Sequence, residues 1–140
     1  MSEYSQIEIK GGFVMRRKII ILITAMLLVI GMTAVTAFAG TMSGSYSTST
    51  RQKVGTAYNS SGEYKTAYGH LYPGATSPAA VLQICNANGT VVKASRTYSA
   101  SSPNPNDTTC QIAPGETLSF YVKPVIDGQY VWGTEQHGIY

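Results

Sequence analysis

From Gly40 onward the chain is cut into short runs by turn signals, and that excludes a helical fold. The signals are Asn59-Ser60-Ser61-Gly62, Pro73-Gly74, Asn88-Gly89, Pro114-Gly115 and Asp127-Gly128. Between them the apolar residues recur with a period of two, the period of a half-buried strand. In Tyr64 to Tyr72, Tyr64, Thr66, Tyr68, His70 and Tyr72 share one face, and Lys65, Ala67, Gly69 and Leu71 the other. In Thr117 to Lys123, Leu118, Phe120 and Val122 face in while Ser119, Tyr121 and Lys123 face out. Further strands are expected over 51–58, 79–85, 90–98 and 129–134, and 40–50 reads as an edge strand or a flexible leader. About seven short strands without a helix indicate an all-β fold, a small antiparallel β-sandwich. Its expected core is Leu82, Ile84, Val92, Leu118, Phe120, Val122 and Trp132, with 135–140 as a polar tail.

The strongest hairpin signal joins 79–85 to 90–98. A two-residue Asn88-Gly89 loop would set Ile84 opposite Lys93 and mix the two faces. A three-residue loop, Ala87-Asn88-Gly89, sets Ile84 opposite Val92 and Leu82 opposite Ala94. With Gly89 left-handed, this register keeps apolar opposite apolar and is preferred. It turns Cys85 to the other face, beside Val91.

Residues 15–39 read as a targeting segment. Arg16, Arg17 and Lys18 precede an apolar run from Ile19 to Met32, and Ala37-Phe38-Ala39 supplies small residues at the cleavage positions. This is the layout of a secretory signal peptide over 15–39, cleaved after Ala39. Ile19 to Ala39 is also about as long as a spanning helix, roughly 20 residues, but Thr24, Gly31, Thr33 and Thr36 dilute it. Residues 1–14 read as a dispensable or misassigned extension. Lys10-Gly11-Gly12 can be encoded by a purine-rich run that recruits a bacterial ribosome to a start at Met15. On this reading 40–140 is a single secreted, extracellular domain.

Charge moves with the leader. The whole chain carries +3, but residues 40–140 hold six basic and five acidic side chains. The basic field that nucleic-acid binding needs is therefore missing, and no nucleic-acid partner is expected. Membrane contact is expected only through the signal peptide before cleavage. The chain has two cysteines, Cys85 and Cys110. Outside the cell they are expected to pair as a disulfide, closing a loop of about 25 residues and contributing about 3 kcal/mol. The polar stretch Ser99 to Thr109, with Pro103 and Pro105, reads as a long mobile loop tethered at its far end by Cys110.

Catalytic signatures are absent. There is no Gly-x-Ser-x-Gly elbow, His-Glu-x-x-His, phosphate-cradling glycine loop or paired-cysteine metal spacing. His70 and His137 are the only candidate bases, and His70 reads as a partner to the tyrosines on its strand. Glu135 and His137 would share a strand face, but two ligands at that spacing do not make a metal site. Neither metal nor cofactor is expected, and the protein reads as a non-enzyme. The Asn-x-Ser/Thr matches at Asn59, Asn88 and Asn106 read as incidental.

The remaining enrichment is aromatic. Tyr64, Tyr68 and Tyr72 share a strand face, and Trp132 adds a large ring; these four are the candidate ligand-binding residues. A row of flat rings stacks sugars or grips a protein partner, while the competing role is cross-strand pairing within the sheet. The expected function is an extracellular binding or interaction module at or near a bacterial cell surface, with a glycan, a wall polymer or a protein as partner. One alternative is a secreted bacteriocin-like antagonist. Another is a hydrolase inhibitor that presents the 99–109 loop. The layout is similar to that of many small exported β proteins of Gram-positive bacteria, with no motif that singles out a family.

Overall fold

The computed structural model describes residues 40–140; the expected signal peptide over 15–39, its expected cleavage after Ala39 and the 1–14 extension lie outside the described residues. Eight strands follow in order: β1 (Thr41–Thr48), β2 (Gln52–Tyr58), β3 (Lys65–Pro73), β4 (Ala80–Asn86), β5 (Val92–Tyr98), β6 (Thr108–Ile112), β7 (Thr117–Pro124) and β8 (Val131–Ile139). They form two antiparallel four-stranded sheets, one ordered β1-β8-β3-β6 and the other β2-β7-β4-β5. The fold is all-β and consistent with a β-sandwich, with eight strands where the sequence suggests about seven. Only β4 and β5 are both consecutive in sequence and paired; every other connection crosses between sheets.

The core lies between the sheets. Leu82 and Ile84 of β4 meet Leu118, Phe120 and Val122 of β7, and Ala67, Leu71, Ile112 and Val131 close over them from the first sheet. Each large apolar side chain buried this way contributes about 1.5–3 kcal/mol. Alternation does the sorting: in β3, Ala67, Gly69 and Leu71 are buried while Tyr68, His70 and Tyr72 lie on the outer face.

Two expected core residues are not in the core. Val92 is 46% exposed. The β4–β5 connection is a four-residue loop, Ala87–Thr90, closed by Asn86 N–H donating to Val91 O at 3.0 Å. Cys85 then faces Val92, and a bulge re-sets the pairing so that Ile84 opposes Ala94 and Leu82 opposes Arg96. The extra residue, Lys93, leaves Val92 on the outer side and brings Ala94 against the core. Gly89 does take the left-handed conformation, at φ 76°. Trp132 is likewise on the outer face, because Val131 is the β8 residue that points inward.

The supposed tail is the largest departure. Residues 135–139 belong to β8, which pairs with β1 on one side and β3 on the other. Glu135 and His137 are buried, at 2% and 3% exposure. Strand β6, also unforeseen, lies at the end of the polar loop and pairs with β3. Residues 41–48 form an edge strand of which Tyr46 alone is buried.

The cysteines are not bridged; both are free. Cys85 faces outward from its sheet, beneath Arg51, whose guanidinium reaches its Sγ at 3.0 Å and caps the Tyr121 ring at 3.8 Å. Cys110 packs against the core from the opposite sheet, and burial pushes its thiol pKa up. The sheet that carries Cys85 therefore separates the two sulfurs. The 99–107 loop has other ties: Arg96 donates to Asn104 Oδ1 at 3.4 Å, and Tyr98 Oη donates to Asn106 O at 3.1 Å.

Candidate ligand-binding face

The outer face of the first sheet carries side chains from all four of its strands. The cross-strand registers place Ser43 and Ser45 of β1 beside Gln136 and Thr134 of β8, with His70 and Tyr72 of β3 beyond them. Thr109 of β6 pairs with Tyr68. Of the four aromatic candidates, Tyr68, Tyr72 and Trp132 lie on this face. Tyr64 does not join them: it precedes β3 and is 67% exposed.

The rings play two roles. Tyr68 is held in the sheet, packed on Tyr140 with centroids 5.4 Å apart and hydrogen-bonded to the Thr41 hydroxyl. Trp132 packs on Tyr130 at 5.9 Å, and Tyr130 bonds the Ser47 hydroxyl. The Tyr68 contacts, to β1 and to the residue that follows β8, are of the cross-strand kind that stabilises sheets, while Trp132 packs on a neighbour two residues earlier in its own segment. Tyr72 differs: it is 49% exposed, and its hydroxyl donates to Gln136 Oε1 at 3.2 Å. Its ring is fixed without being covered.

Next to Tyr72 the sheet edge opens into a groove of about 210 Å³. His70, Leu71, Tyr72 and Pro73 form one wall; Tyr98, Ser99, Ala100, Pro103 and Asn104 form the other. Strand β6 stops short of His70, and the 99–107 loop fills that place. The His70 ring lies between Tyr72 and Tyr98, with both centroid distances 4.6 Å. Its Nδ1–H donates to Asp107 Oδ1 at 3.0 Å, which fixes the ring plane and leaves Nε2 as its remaining polar atom. Tyr98 is 1% exposed, and its hydroxyl also meets Gly69 O and Thr108 Oγ1. Burial raises its pKa despite the Thr108 hydrogen bond and the Arg96 charge, so the phenol stays neutral and rigid.

No lysine, arginine or carboxylate lines this groove. A histidine oriented by an aspartate supplies two of the three members of a nucleophile-activating arrangement. The groove's serine, Ser99, pairs its Oγ with Ser101 Oγ at 2.9 Å and makes no hydrogen bond to His70. The arrangement suits binding: a fixed flat ring, apolar walls of proline and alanine, and polar edges at His70, Asn104 and Gln136.

A second polar cluster lies inside the sandwich. His137 Nδ1 and Glu135 Oε2 are 2.7 Å apart, and the His137 ring packs on Phe120 at 4.7 Å. His137 Nε2, Tyr46 Oη and Gln52 Oε1 are buried without a hydrogen-bond partner among the described residues. His70 stands on the outer face of the same sheet, so Glu135, His137 and His70 do not converge. Among the described residues no group of three possible ligands could hold a metal ion.

Tyr98 and Asn104, which line the groove, and Asp107, which orients His70 from behind it, had no local signal in the sequence. Tyr98 at the end of β5 packs on His70, and Asp107 in the loop that follows bonds it, both from segments far from β3 in the chain. Comparisons of the chain with protein-family models, curated proteins and solved structures each return no match.

Proposed function

We propose that this protein is a secreted, non-enzymatic binding module that acts at or near a bacterial cell surface. The observation that carries the reading is the uncharged, aromatic outer face of the β1-β8-β3-β6 sheet, with Tyr72 fixed but uncovered at the mouth of a groove. A sandwich suits this role because the sheet holds the rings in place before a ligand arrives, which lowers the ordering cost of binding. Export rests on the Arg16-to-Ala39 layout.

The test is co-sedimentation of the 40–140 domain, which encloses its own core, with washed Gram-positive cells before and after removal of their wall polymers. Binding that falls with the polymers, and that Tyr72→Ala weakens while Tyr64→Ala does not, is the expected result. Equal recovery in the pellet with and without cells would overturn the reading. N-terminal sequencing of protein recovered from culture medium checks export, with Gly40 as the expected first residue.

A further inference from the structure

The groove beside Tyr72 has a chemistry that narrows its ligand. We infer that it seats one pyranose ring of a neutral polysaccharide, stacked on the exposed side of Tyr72; this rests on the binding-module reading above. Three observations converge. First, the Tyr72 ring is half exposed, backed by His70 and held at its hydroxyl by Gln136. A ring fixed on one side and open on the other presents a flat π-face to the C–H face of a sugar, with little motion left to lose. Second, the walls carry polar groups for sugar hydroxyls: Asn104, whose Nδ2 is left over once its Oδ1 accepts from Arg96 and the Asn106 N–H, and His70, whose ring Asp107 orients.

Third, the lining itself carries no charged side chain; the nearest charges, Arg96 and Asp107, are hydrogen-bonded to the lining residues Asn104 and His70. Phosphate or carboxylate recognition takes an arginine or lysine, and none lines the groove. A cationic ligand would meet no carboxylate among the lining residues; Asp107 stands behind His70, with Oδ1 held by the imidazole. Size agrees: about 210 Å³ is below the roughly 300–1,000 Å³ that encloses a whole drug-sized molecule. It matches a single ring, with the rest of a polymer running out over the open sheet. A protein partner would need a contact on the order of 800 Å² per side with a buried apolar centre. The neighbouring positions Ser43, Ser45, Thr134 and Gln136 provide hydroxyls and an amide instead.

The experiment is an amide-resolved NMR titration of the 15N-labelled 40–140 domain with cellohexaose, chitohexaose and mannohexaose, and with polygalacturonate as an anionic control. Saturable shifts with at least one neutral hexamer, centred on residues 70–73 and 99–104, support the inference. Tyr72→Ala should weaken that binding about tenfold or more, whereas Tyr72→Phe, which keeps the ring, should hold within about threefold. Unchanged thermal midpoints show that the variants fold. Absence of shifts with all three hexamers overturns the inference, as does preference for polygalacturonate. If the domain still sediments with cells in that case, the module binds another chemistry; if it does not, the binding reading falls as well.

Discussion

Tyr46 shows how one atom sets a local cost. Its ring is buried at 2% exposure, while its hydroxyl finds no partner among the described residues. A buried hydroxyl left unpaired costs about 1–3 kcal/mol. Burial also pushes the phenol pKa from 10.0 up to about 12. Between those two values the unfolded chain has lost the proton and the folded chain still holds it, so stability falls as pH rises. Tyr46→Phe should therefore be neutral or stabilising by about 1 kcal/mol near pH 7. Its advantage over the parent should widen between about pH 9 and pH 11.5. Urea unfolding of both proteins across that range checks the sign; a constant difference would show that Tyr46 does not carry the alkaline limb.

Strand β8 poses the larger problem at the scale of elements. It is paired on both sides, yet its sequence, Val131 to Ile139, holds two glycines and three consecutive polar residues before His137. Strand propensity does not explain it. What holds it is a backbone ladder to both β1 and β3, with Val131 and Ile139 anchoring its ends in the core. The buried Glu135–His137 pair fits only because β1 and β2 offer glycines opposite it. A Cβ on Gly44 would stand 2.8 Å from Glu135 Oε1, and one on Gly55 would collide with the His137 ring. Gly55→Ala should cost about 1–3 kcal/mol. In the His137→Ala background the same change should cost nearly nothing, and a double-mutant cycle by denaturant unfolding reads that coupling. Additive costs would place the His137 ring away from β2. Tyr64 to Tyr72 is the opposite case: its alternation was legible because a strand with one wet face writes its orientation into every second residue.

At the scale of the whole described domain, a two-sheet core holds residues 40–140 together without a disulfide. Cys85 lies on the outside of one sheet and Cys110 on the inside of the other. A reductant should leave the thermal midpoint of the native protein unchanged. Alkylation after unfolding without reductant should modify both thiols, as read by intact mass; an unmodified pair would restore the disulfide. Cysteine number and compartment do not reveal which face of which sheet a residue occupies, so no reading of the sequence could have settled this. Position along the chain also hid the groove. His70, Tyr98 and Asp107 come from a strand of one sheet, a strand of the other and the loop between sheets. By itself the sequence determined the all-β class, the turn positions, the facing of β3 and β7 and the near-neutral net charge of the domain. Local pattern and turn chemistry act over a few residues, and these features need no more. Tertiary structure decided the pairing of β8, the β4–β5 register, the separation of the cysteines and the assembly of the groove. Each depends on contacts between segments far apart in the chain, where packing between sheets overrides local preference.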